Sequence, residues 1–114
     1  MAKLKIGVVG LGGIGNNHAR CYTANPHTEV VAVCDVRPEN AAFGAREIER
    51  LFGNKPMVFT DLDDVLAQDG IAALDVVTIP STHHVVAVPA LLAGKHTLVE
   101  KPLGITVRAC QAII

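Results

Sequence analysis

The chain has 114 residues, half of them hydrophobic, 18% charged, and a formal net charge of −1. That length fits one domain with a core of useful size, and the near-neutral balance, without a basic patch or charge run, excludes the electrostatic footprint of a nucleic-acid binder or of a protein held to an acidic membrane. The longest apolar stretch, Val85 to Ala93, is too short to span a bilayer and contains Pro89.

Strand and helix patterns alternate along the chain. The first strand, Leu4 to Val9, ends in glycines spaced G-x-G-x-x-G at Gly10, Gly12 and Gly15. A helix is predicted from Gly13 to Ala24, ending before Pro26. The second strand, Val30 to Asp35, closes on an acidic residue twenty positions beyond Gly15. A second helix starts near Pro38, a favoured first-turn position. Its apolar residues Ala41, Ala45, Ile48 and Phe52 recur at helical spacing, and Gly53 stops it. Met57 to Phe59 reads as a short strand. Asp61 caps a third helix with Leu62, Val65 and Leu66 toward the core, ended by Asp69-Gly70. Leu74 to Ile79 is a buried strand, apolar apart from Asp75 and Thr78. The helix that follows runs to Ala93 with Gly94 as its stop, and Pro89 either kinks it or makes it begin late. Thr97 to Glu100 is the fifth strand, and an amphipathic segment runs from Thr106 to the end. The last residues, Ala112-Ile113-Ile114, stop inside an apolar helical pattern without a cap, so the chain is expected to be a fragment lacking a C-terminal region.

Apolar strands alternating with helices predict an α/β fold: a Rossmann-type, doubly wound parallel sheet of order 3-2-1-4-5 with helices on both faces, forming one NAD(P)-binding domain over residues 1–114. Ligands of such sheets bind beyond the carboxyl ends of the strands. Gly10 to Gly15, Asp35 to Arg37, Ile79 to His84 and Glu100 to Pro102 lie there and are expected to converge on one crevice. Gly10 makes the tight turn, Gly12 clears the way for a pyrophosphate, and Gly15 lets the helix approach the sheet. Gly13 and Ile14 open that helix, whose free N–H groups and positive end face the phosphates. Asp35 accepts from ribose hydroxyls and favours NAD, because a 2′-phosphate would meet like charge. Arg37 keeps NADP open, since it could stack on adenine or pair with that phosphate. S-adenosylmethionine enzymes share the glycine loop and acidic residue and form a rival reading.

Cys21, Cys34 and Cys110 make no C-x-x-C and read as buried, reduced thiols. The five histidines lack ligand spacing, and adjacent His83 and His84 would point in different directions on a helix, so no metal is expected. Lys3 and Lys5 lie directly against the first strand, where a signal peptide would place its apolar segment. A cytoplasmic protein is expected.

Thr78-Ile-Pro80-Ser-Thr-His-His84, followed by Ala90-Leu-Leu-Ala-Gly94-Lys-His96-Thr-Leu-Val-Glu100-Lys101-Pro102, closely resembles the Gfo/Idh/MocA oxidoreductases, over essentially the whole chain. The resemblance implies that Lys101, the lysine of E-K-P, is catalytic and reaches the substrate near the nicotinamide. It also implies that Pro80 and His84 line the nicotinamide side, with Glu100 and Lys101 in the same crevice. The expected function is the nucleotide-binding part of an NAD(P)-dependent oxidoreductase moving a hydride between nicotinamide and a sugar, polyol or related hydroxy compound. The family's second domain carries the proton acceptor, most of the sugar pocket and much of the oligomer interface. The isolated chain is therefore expected to bind dinucleotide without turning over substrate, and the full-length protein to be a homo-oligomer. A non-catalytic dinucleotide-binding or redox-sensing protein is the alternative; E-K-P disfavours the methyltransferase reading.

Overall fold

The computed structural model describes residues 2–114. Five strands, β1 (Leu4–Val9), β2 (Thr28–Cys34), β3 (Met57–Phe59), β4 (Ala73–Val76) and β5 (His96–Val99), alternate with helices α1 (Gly13–Ala24), α2 (Pro38–Phe52), α3 (Leu62–Leu66), α4 (His83–Leu92) and α5 (Val107–Ile113). The strands form one sheet of order β3-β2-β1-β4-β5, and every pairing in it is parallel. This is the predicted topology, and it puts the order reversal between β1 and β4, where ligands of such sheets sit.

Both faces carry core. Ala19 of α1 and Ile48 of α2 pack on Ile6, Val8, Val30 and Val33, while Val65 of α3 and Ala87 and Ala90 of α4 pack with Val9, Leu74 and Val76 on the other side. Val8, Val33 and Val76 are wholly buried, each contributing roughly 1.5–3 kcal/mol of burial. Local signals fix the helix ends. Asp61 accepts the Asp63 N–H at 3.0 Å, Thr106 accepts the Ala109 N–H at 3.0 Å, and Gly53 ends α2 at φ 84°.

Several boundaries differ from the sequence reading. β2 begins earlier, at Thr28, because Thr28 and Glu29 pair with Leu4 and Lys5. β4 ends at Val76 rather than Ile79, because its partner β1 ends at Val9, opposite Val76. β5 starts at His96, opposite Ala73, and leaves Glu100 just past its end. Pro80 opens a 3-10 turn over Pro80–Thr82, so α4 begins late and carries Pro89 inside it. Phe52 is not a core residue: at the last position of α2 it is 42% exposed, whereas Gly44 is buried on that helix. The expectation of three buried thiols holds for Cys34 alone. Cys21 is exposed, off the Gly15–Asn16–Ala19 side by which α1 packs, and Cys110 is half-buried. Burial pushes the Cys34 thiol up to about 11, with neighbouring Asp35 adding to the effect. Among the described residues no helix is long and apolar enough to cross a membrane.

Candidate functional site

The chain leaves β1 at Gly10 with φ +101°, where an added Cβ would lie 2.6 Å from the Val77 carbonyl. The Gly10 N–H donates to the Cys34 carbonyl at 2.8 Å, so the turn is tied to β2 as it starts. At Gly15 a Cβ would collide with the Gly10 carbonyl oxygen, so α1 rests directly on this turn. Gly12 and Gly13 are different: nothing stands within 4 Å of a Cβ at either.

Gly12 caps α1 in extended backbone without a side-chain hydrogen bond, and no acidic residue lies in the first turn. The first helical bond runs from the Asn16 N–H to the Gly12 carbonyl, 2.9 Å. The N–H groups of Gly13, Ile14 and Gly15 therefore open the helix without a helical acceptor, at its positive end. Asn16, 9% exposed, donates from Nδ2 to the Leu11 and Gly12 carbonyls at 2.8 and 3.0 Å and holds the loop from below. Gly44 lets α2 close on it; a Cβ there would stand 2.7 Å from Leu11 Cδ1.

Asp35 follows β2. Its Oδ2 accepts the Leu11 N–H at 2.8 Å and its Oδ1 the Arg37 N–H at 2.9 Å. Both oxygens are thus tethered, each with a further lone pair to offer. Arg37 sits at the N-cap of α2 and is exposed.

The other half of the candidate site comes from the segments that follow β4 and β5. Pro80 and Lys101 are exposed, and His84 is half-buried, with its Nδ1 buried and unpartnered. His83 points away from His84 into the protein, 1% exposed. Its Nδ1 lies 2.7 Å from the Pro102 carbonyl oxygen and its Nε2 3.0 Å from that of Thr78, tying the turn after β5 to the turn after β4. The Lys101–Pro102 peptide is cis. Glu100 turns inward: Oε2 lies 3.1 Å from His18 Nε2, and Oε1 accepts the Lys101 N–H at 2.9 Å. His18 Nδ1 in turn meets Asp75 Oδ2 at 2.7 Å, an oxygen that also accepts the Tyr22 hydroxyl at 2.9 Å. Burial, then the bond to Asp75, raises the Tyr22 hydroxyl above its ordinary range.

All four segments singled out in the sequence lie at the same end of the sheet, joined by named contacts. The glycine loop meets Asp35 through Leu11, Gly10 abuts Val77, and Thr78 reaches Pro102 through His83. Sequence reasoning missed the supporting polar residues Asn16, His18, Tyr22, Asp75 and His83. Asp75 left a signal, as a carboxylate inside an apolar strand; His83 left none that distinguished it from His84.

The family model described as "Oxidoreductase family, NAD-binding Rossmann fold" (GFO_IDH_MocA) matches residues 4–114. Inositol 2-dehydrogenase from Klebsiella pneumoniae is 36% identical over 112 residues, covering 97% of this chain and 32% of its own length. The crystal structure of myo-inositol dehydrogenase from Lactobacillus casei in complex with NAD(H) and myo-inositol superposes with a TM-score of 0.89 at 32% identity, covering 99% of this chain and 32% of that one. A 3-ketoreductase from Actinomadura kijaniata, in complex with TDP-benzene and NADP, gives 0.82 at 30% identity over 97% of this chain and 34% of its own. The chain thus spans about a third of the length of the relatives it matches.

Proposed function

The chain belongs to the Gfo/Idh/MocA oxidoreductase family, as its NAD-binding Rossmann domain, and from that premise we propose that it holds the dinucleotide for hydride transfer between nicotinamide and a sugar, polyol or cyclitol hydroxyl. The observation that carries this reading is the uncapped amino terminus of α1, with clear space at Gly12 and Gly13 beside the tethered Asp35 carboxylate. The residues present fit the cofactor. The Gly13, Ile14 and Gly15 N–H groups would receive the pyrophosphate, Asp35 the adenine ribose, and Pro80 and His84 the nicotinamide side. When bound, the nicotinamide supplies the hydride acceptor or donor. Lys101, exposed at the end of β5, places an ammonium at the substrate hydroxyl, where it stabilises developing negative charge on oxygen and assists proton loss. Inositol-like substrates are favoured by the relatives that act on them.

The same geometry favours NAD over NADP. With both oxygens hydrogen-bonded to backbone, the Asp35 carboxylate is held in place and its free lone pairs suit two ribose hydroxyls. A 2′-phosphate at about 4 Å would instead be repelled by about 4 kcal/mol per charge at an effective dielectric near 20, before salt screening. Because the chain is about a third of its relatives' length, the test is one of binding. Calorimetric titration with NAD and NADP side by side is expected to give tighter NAD binding. Equal or tighter NADP binding would overturn the choice of cofactor, and binding of neither would overturn the assignment of the crevice.

A further inference from the structure

Between α1 and the sheet runs a continuous polar chain that starts at Asp75, outside the dinucleotide site, and ends at the Glu100–Lys101 turn. Asp75, 1% exposed, lies on the α1 side of β4. Its Oδ2 takes the Tyr22 hydroxyl at 2.9 Å and His18 Nδ1 at 2.7 Å. The other nitrogen of His18 meets Glu100 at 3.1 Å, and Glu100 in turn accepts the backbone N–H of Lys101 at 2.9 Å. The Tyr22 ring stands edge-on to the imidazole, 6.5 Å between centroids and 89° between planes, so the ring is held on three sides. Both ring nitrogens of His18 thus face a carboxylate oxygen.

We propose that His18 is a positioning residue, which ties Glu100 to Asp75 and thereby couples the dinucleotide-binding end of α1 to the turn carrying Lys101. The inference rests on the reading of Lys101 as the group that meets substrate. His18 lies one helical turn beyond Gly15, on the same rigid element as the N–H groups that face the pyrophosphate. A ligand that seats α1 also seats the His18 ring, and through Glu100 it orders the backbone of Lys101. Lys101 has no side-chain hydrogen bond or ion pair among the described residues, so the stem on which its ammonium stands is held through its backbone, by the Glu100 carboxylate on the Lys101 N–H and by His83 on the neighbouring Pro102 carbonyl. The remaining oxygen of Asp75, Oδ1, is buried and unpartnered, which leaves His18 and Tyr22 as the side chains that balance this carboxylate.

The test is amide hydrogen exchange by NMR at Lys101, Leu103 and Gly104, with and without NAD, on the 114-residue chain, His18→Gln and Glu100→Ala. Glu100 is part-exposed, so Glu100→Ala keeps the fold if removal of Asp75's partner in His18→Gln does not. Without ligand, Glu100→Ala, which leaves the Lys101 N–H no side-chain acceptor, is expected to speed Lys101 exchange by roughly tenfold, as for loss of one charge-assisted hydrogen bond, while α1 amides keep their rates. In the unsubstituted chain NAD is expected to slow exchange at all three amides, and in both variants this slowing is lost; His18→Gln binds NAD within about threefold of the original. Unchanged Lys101 exchange in Glu100→Ala overturns the tie. NAD-induced slowing that is missing from the unsubstituted chain despite binding, or that survives in the variants, overturns the coupling. Absence of NAD binding to the unsubstituted chain would instead overturn the proposed function, and the ligand-free comparison would still decide whether His18 and Glu100 hold the Lys101 turn.

Discussion

Alanine at Gly12 and alanine at Gly15 should fail in opposite ways, although one motif contains both. Gly12 has φ −75° and ψ −166°, backbone that any residue adopts, and nothing lies within 4 Å of its added methyl. Reduced freedom of the unfolded chain favours alanine by about 0.4–1 kcal/mol, and the poorer N-cap preference of alanine opposes it by a similar amount. Stability should therefore stay within about 1 kcal/mol of the original. The methyl would stand in the open approach to the Gly13–Gly15 N–H groups. Blocking one charge-assisted hydrogen bond there costs about 1.5–3 kcal/mol, or roughly 10- to 100-fold in dinucleotide affinity. At Gly15 the methyl meets the Gly10 carbonyl, backbone against backbone, with no side chain to move aside. Relief requires lifting α1 off the turn, at about 3 kcal/mol or more, which lowers Tm by more than about 10 °C in a domain of this size. Thermal unfolding by circular dichroism and NAD titration on both variants decide the matter. Full NAD affinity in Gly12→Ala would refute the placement of the phosphates, and a native-like Tm in Gly15→Ala would refute the packing argument.

Asp35→Asn keeps an acceptor for one backbone N–H while removing the charge; the ratio of NADP to NAD affinity should rise at least about tenfold, read by paired calorimetric titrations. His83→Leu removes the ring that bridges two carbonyls in the interior and should cost about 2–4 kcal/mol in urea unfolding, whereas His84→Ala should cost less than about 1 kcal/mol and act mainly on ligand binding. Cys34, raised in the folded state from about 9 to about 11, makes the native state hold its proton longer than the unfolded one. Its contribution is intact below pH 9 and is lost as pH rises through that window, up to about 3 kcal/mol for two units. Cys34→Ala should flatten the stability profile between pH 9 and 11, and a profile unchanged by that substitution would contradict the assigned cause.

Much of the fold was legible because it depends on signals local to each element. The apolar run Ile6 to Val9, Pro38 at the start of α2, Gly53 at its end and Asp61 before α3 each act through their own backbone. Strand ends were less legible, since they depend on a partner elsewhere: Val76 closes β4 only because Val9 closes β1. The candidate site divides along the same line. Glycines and Asp35 are recognisable by spacing, because their task is set by the turn they occupy. The choice between His83 and His84 depends on which ring faces carbonyls nineteen and five residues away, and spacing along one helix carries no such information.

The polar residues that sequence reasoning passed over share one physical property: each serves a contact between elements rather than within one. Asn16 holds the glycine loop to α1, His83 spans the turns after β4 and β5, and His18 reaches from α1 to β4 and to the turn after β5. A carboxylate as deeply buried as Asp75 is tolerated only where partners offset its desolvation, so its presence amid Leu74 and Val76 already required donors from another element. Those donors, His18 and Tyr22, stand at i and i+4 on α1, the spacing that puts two side chains on one helix face. The buried charge thus fixes the rotation of α1 about its axis, and with it the direction in which the Gly13 to Gly15 N–H groups point.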